Sequence, residues 1–160
     1  MKQQIRLSYP EKVAYRVIQS YGIKAPPINV EEFAVLEGLT VVRMDSWNSL
    51  HGMLFRETKR IGINSKDHPN RQRFSLAHEL GHFFLNHFHD RLDVNPGIEH
   101  IDEEKDARDQ EANVFAAELL MPHDLLQNDF RRLRDVKKLV SLYLVSEEAM
   151  WRRVLRLKLV

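Results

Sequence analysis

The chain has 160 residues, 43% of them hydrophobic, and a formal net charge of +1 at pH 7, which suits one packed domain with at most a small appendage. It contains no cysteine, which excludes disulfides, thiolate catalysis and every cysteine-ligated zinc site, so any metal must sit on His, Asp or Glu. The near-neutral total conceals two opposed segments: residues 93–111 hold eight acids against two bases, and residues 131–160 hold nine bases against three acids.

The opening MKQQIRLSYPEKVAY has no apolar h-region, and no stretch approaches the roughly 18 apolar residues of a membrane span. A soluble, cytoplasmic protein without membrane contact is expected. Residues 10–21 place Val13, Val17 and Ile18 on one helical stripe, with Gly22 as its stop. KAPPIN is a rigid connector, and Asn29 suits the N-cap of a short helix over VEEFAVLEG, ended by Gly38. LTVVRM then changes to a short β-branched run, and GMLFRETKRIGIN reads as two strands joined by a polar turn near Glu57–Lys59. Together they predict a small antiparallel sheet.

A helix follows over DHPNRQRFSLAHELGHFFLNHF, with Pro69 in its first turn and Ala77, Leu80, Gly81, Phe84 and Phe88 at spacings of three and four. A second long helix ends at Pro122, and HDLLQNDFRRL, DVKKLVSLY and SEEAMWRRVLRL predict three shorter ones. The fold class is α+β: a small sheet with about six helices.

The segment Phe74 to Asp90, FSLAHELGHFFLNHFHD, holds four of the eight histidines, and residues 78–82 form an HExxH motif. At about 3.6 residues per turn, His78 and His82 lie about 40° apart in azimuth and about 6 Å apart along the axis. Two imidazoles so placed can converge on one ion at about 2.0–2.1 Å. Glu79, about 100° round from His78, can reach a water on that ion and act as general base. Gly81, between the two histidines, costs about 1 kcal/mol relative to Ala in a helix, which implies that another segment packs closely there. His87 falls on the opposite side of a continued helix and His89 about 10 Å beyond His82 along the axis, so neither joins the centre unless the helix breaks. The longer metzincin pattern is excluded, because Leu85 and Phe88 stand where it requires Gly and His.

A catalytic site of this kind needs a third protein ligand and an open fourth position. The next helix offers many carboxylates, of which Glu111 and Glu118 flank the apolar run ANVFAAELLMP and share a face seven residues apart. A carboxylate among core residues is costly unless paired or metal-bound, so one of the two is expected as ligand and the other as its supporting partner.

RFSLAHELGHFF followed by QEANVFAAELLMP resembles the ImmA/IrrE family of metallopeptidases, in which an HExxH helix precedes a glutamate ligand about thirty residues on. The likeness runs from about residue 28 to 122 and more loosely to the end. It implies a zincin-like fold and one Zn2+ per chain. His78, His82 and Glu111 take the places of the metal ligands and Glu79 that of the general base, with Asp109 and Glu118 near enough to compete with Glu111. The resemblance also implies zinc-dependent endopeptidase cleavage of a protein substrate, typically a helix-turn-helix repressor of a mobile element, prophage or stress regulon. The 52–64 hairpin offers an exposed edge strand to which an extended peptide could add. His87, His123, Arg73 and Tyr143 are open alternatives for stabilising the oxyanion.

The chain divides by this reading into a metallopeptidase domain at 1–125 and a helical C-terminal subdomain at 126–160. The latter has the outline of a helix-turn-helix, with Ser146 as N-cap of its second helix. Arg152, Arg153, Arg156 and Lys158 raise a rival function, a non-catalytic regulator that binds a partner repressor or DNA through these cations. A subdomain packed on the protease is preferred, with Val145, Ala149, Met150, Val154 and Leu157 as its core stripe.

Overall fold

The computed structural model describes residues 5–88 and 103–160. Helix α1 (Tyr9–Ser20) starts on a proline in its first turn, and helix α2 (Val30–Leu36) starts where the Asn29 side chain accepts the Glu32 N–H. The Asn29 cap is the one expected from the sequence. Strands β1 (Thr40–Met44), β2 (Gly52–Phe55) and β3 (Arg60–Asn64) follow, then helix α3 (Pro69–Phe84), which carries the HExxH motif. Helices α4 (Glu103–Leu120), α5 (His123–Leu133), α6 (Val136–Tyr143) and α7 (Glu147–Arg156) complete the described chain. No helix among the described residues is long and apolar enough to cross a membrane.

The sheet departs from expectation. β2 and β3 form the predicted antiparallel hairpin, with Leu54 opposite Ile61, but β1 lies parallel to β3, with Val41 opposite Ile61. The order is β1-β3-β2, so the sheet is mixed rather than antiparallel. The burial pattern supplies the reason. Ile61 and Ile63 of β3 are fully buried, whereas β1 and β2 are only half covered. The most apolar strand takes the centre, and its two poorer neighbours take the edges.

Helix α3 lies between this sheet and α4. Leu76, Ala77 and Leu80 of α3 join Phe115, Ala116 and Leu119 of α4 and Ile61 and Ile63 of β3 in one apolar core. The close approach depends on Gly81, where a Cβ would stand 3.0 Å from the Ala112 Cα and 3.1 Å from its carbonyl oxygen. This is the close packing that a glycine between the two histidines implied.

The same core continues through Leu126, Leu139, Tyr143, Val145, Met150, Val154 and Leu157. A buried ionic group ties α7 to the rest. Arg153, 3% exposed, pairs with Glu118 of α4 and with Glu11 of α1 (3.1 Å), and donates from Nε to the Met121 carbonyl (3.1 Å). Arg156 adds a 2.7 Å contact to Glu11. Burial alone would raise the Glu11 carboxyl, but the Ser8 hydrogen bonds and the two guanidiniums outweigh it and leave it below the usual range.

Candidate metal centre

The candidate centre is assembled from two helices that Gly81 allows to touch, and its three donors are a group that could hold a metal ion. On α3, His78 Nε2 and His82 Nε2 lie 3.0 Å apart. From α4, Asp109 Oδ1 stands 3.0 Å from His82 Nε2 and 3.5 Å from His78 Nε2. Donors arranged tetrahedrally about 2.0–2.1 Å from one ion are separated by about 3.3 Å. The triangle of 3.0, 3.0 and 3.5 Å therefore has the dimensions of three corners of a zinc site. His82 is 2% exposed and Asp109 41%, so the centre is anchored on the dry side and reachable from the wet one.

The tautomers agree with this reading. His78 Nδ1 is 2.7 Å from Asn113 Oδ1, an oxygen that can only accept, so Nδ1 carries the proton and Nε2 presents its lone pair.

The third position was expected at Glu111, and the structure brings Asp109 there instead. Asp109 and Asn113 are four residues apart on the α4 face that meets α3, about 40° from each other. Position 111 is turned about 200° from 109, and its carboxylate lies 2.8 Å from His87 Nε2. Glu118 is also away from the histidine pair, fully buried against Arg153 and His123. The i, i+4 spacing of Asp109 and Asn113 was a usable signal, as was the need for a small residue, Ala112, opposite Gly81.

His87 is a second departure. The prediction that it falls away rested on a continuous helix, but α3 ends at Phe84 with Leu85 as C-cap and Asn86 in the left-handed region (φ 56°). The His87 N–H returns to the His82 carbonyl at 2.9 Å and the Asn86 N–H to the Phe83 carbonyl at 3.3 Å. These two bonds form a Schellman motif, which folds His87 beneath His82. Their Nδ1 atoms are 3.0 Å apart. His89 lies outside the described residues.

Glu79 occupies the expected flank. It is 7% exposed, and burial pushes its carboxyl up to about 7, with the cation-forming His78 opposing, the Asp109 charge assisting and the Leu54 N–H of β2 opposing. Gly52 makes room for it: a Cβ there would meet Glu79 Cγ and Oε1 at 3.3 Å. The Asn64 N–H donates to the His51 carbonyl, which sets the hairpin register so that Gly52 and Leu54 direct their backbone groups away from β3. The edge of β2 thus borders Glu79.

The other oxyanion alternatives are engaged elsewhere. Tyr143 is buried and donates to Asp129, Arg73 donates to the Ile28 and Tyr143 carbonyls, and His123 contacts Glu118 and Asp124. Arg56, which the sequence reading passed over, donates to the His82 carbonyl (2.6 Å) and the His87 carbonyl (3.0 Å) and stacks on Phe83 and Phe88.

Comparison with known proteins gives a consistent result. Residues 37–155 match the peptidase M78 family model, described as the IrrE N-terminal-like domain. Metallopeptidase ImmA of Bacillus subtilis is 29% identical over 112 residues, covering 69% of this chain and 62% of that protein. The radiation response metalloprotease IrrE of Deinococcus deserti is 32% identical over 143 residues, covering 80% of this chain and 50% of that one. A Mycobacterium tuberculosis transcriptional regulator shares the fold, with a TM-score of 0.71 at 20% identity, over 92% of this chain and 47% of the other. The chain spans about half to three-fifths of the length of the relatives it matches. Because the family match takes in most of the chain and all of the centre, this protein belongs to the M78 peptidase family, with an IrrE N-terminal-like domain.

Proposed function

We propose that the chain is a zinc endopeptidase that cleaves a protein, in the cytoplasm, and that its substrate is a helix-turn-helix transcriptional repressor. The observation that carries this reading is the triangle of His78 Nε2, His82 Nε2 and Asp109 Oδ1 with the Glu79 carboxylate beside it. His78, His82 and Asp109 hold the metal, and a zinc ion bound there supplies a Lewis acid for the scissile carbonyl and for a water. Glu79, buried and poised near neutrality, takes the proton of the attacking water and passes it to the leaving amine. The outward edge of β2 aligns the extended substrate by backbone pairing next to Glu79. The relatives' names, a metallopeptidase and a radiation response metalloprotease, support the protease class. The repressor substrate rests on the resemblance of the two motifs.

The rival reading, a non-catalytic regulator acting through the basic C-terminal helices, draws little support. Arg153 and Arg156 are directed at Glu11 and Glu118, and Arg152 at Glu148. The test is to identify the product of the neighbouring gene and incubate it with the purified chain, with zinc and with a chelator. Chelator-sensitive cleavage, absent in Glu79→Gln, is expected. Cleavage by Glu79→Gln at the wild-type rate would remove the mechanism.

A further inference from the structure

The strongest unassigned feature lies behind the metal centre: His82, His87 and Glu111 form a chain of hydrogen bonds running away from it. His82 Nδ1 is 3.0 Å from His87 Nδ1, and His87 Nε2 is 2.8 Å from Glu111 Oε2. We infer that His87 and Glu111 are positioning residues, a two-step relay that fixes the ring and tautomer of His82 for the metal. The inference rests on the metal-centre reading given above.

The direction of the relay follows from its end. An ionised carboxylate only accepts, so His87 Nε2 must carry the hydrogen that meets Glu111. His87 Nδ1 is then a lone pair and can only accept, which places the hydrogen on His82 Nδ1. His82 Nε2 is left as a lone pair, directed at His78 Nε2 and Asp109 Oδ1. One arrangement of hydrogens therefore serves both bonds of the relay, and it is the arrangement that a metal ligand needs. His78 obtains the same result in one step from Asn113. Helix α4 thus supplies a ligand at Asp109 and an orienting acceptor for each histidine, Asn113 directly and Glu111, from another face, through His87.

The fold protects the relay. His87 is 7% and His82 2% exposed, so water does not compete for the Nδ1 pair. The turn between them is closed by the Schellman bonds and by Arg56, which holds both carbonyls. Glu111 acquires a role without ligation, which accounts for a carboxylate at this position in the QEAN segment.

Loss of an orienting partner behind a metal ligand typically weakens metal binding by roughly 10–100-fold. The test is the zinc dissociation constant of the whole chain, by chelator competition, for wild type, His87→Leu, His87→Gln and Glu111→Ala. His87→Leu should bind zinc roughly 10–100-fold more weakly. His87→Gln should stay near wild type, because its amide can accept from His82 and donate to Glu111, a rescue that a packing role would not produce. Glu111→Ala, half-exposed and so no threat to folding, should weaken zinc but not abolish it. Wild-type affinity in both His87→Leu and Glu111→Ala would overturn the relay and leave the centre intact. Complete loss of zinc in Glu111→Ala would also overturn it, since Glu111 would then be a ligand. A wild-type chain that binds no zinc would remove the centre and the relay together.

Discussion

Glu79 is held near neutrality by burial, close to the pH at which a general base both accepts a proton readily and releases it. Glu79→Gln keeps the side chain's volume and leaves His78, His82 and Asp109 untouched. It should retain one zinc per chain while cleavage falls about 100- to 10,000-fold, measured by metal analysis beside a cleavage assay. Gly52→Ala acts on the same carboxylate from the other side. Its Cβ would press Glu79 Cγ and Oε1 at 3.3 Å, and a side chain can yield by a few tenths of an ångström where a backbone cannot. Folding should survive, and cleavage should fall by roughly tenfold, since misplacement by about 1 Å costs about 100-fold. An unchanged rate in Gly52→Ala would mean that Glu79 has more freedom than its surroundings imply.

Among the elements, α3 and its contact with α4 decide whether the ligands meet. Gly81→Ala gains about 1 kcal/mol of helix propensity, but its Cβ would strike Ala112 backbone atoms at 3.0 and 3.1 Å. Overpacking of this kind costs about 1–3 kcal/mol, and relief requires α4, with Asp109, to move away from the histidine pair. A lower denaturation midpoint and weaker zinc binding are expected together. Much at this scale was legible in the sequence. The caps at Asn29 and Ser146, Pro69 at the start of α3, the β2–β3 hairpin and the stop before Pro122 all follow from local chemistry. What was not legible depended on partners distant in sequence. The parallel pairing of β1 with β3 places β3 between strands that are consecutive in the chain. Asp109 and Glu111 differ by two positions, and only the orientation of α4 on α3 decides which carboxylate meets the histidines. His87 was misplaced because the left-handed turn at Asn86 went unread.

Across the whole molecule, Arg153 joins α7 to α1 and α4 through Glu11 and Glu118. Arg153→Leu strands two buried carboxylates, a change that costs about 3–5 kcal/mol. The lower end is expected, because Arg156 still faces Glu11 and His123 still faces Glu118. Chemical denaturation measures it directly. The same group sets an acid limit. Glu11 has a folded pKa below its usual 4.5, so its stabilisation is fully present above about 4.5 and is lost as pH falls through the lower folded value. Unfolding free energy should therefore decline on that acid limb, and Glu11→Gln should be less stable at neutral pH with a shallower decline. The central claim is the identity of the metal centre, and zinc content measured on purified variants tests it most directly. Wild type, Glu79→Gln and Glu111→Ala should each retain zinc, whereas Asp109→Ala should lose it. Zinc retained in Asp109→Ala and lost in Glu111→Ala would contradict the account.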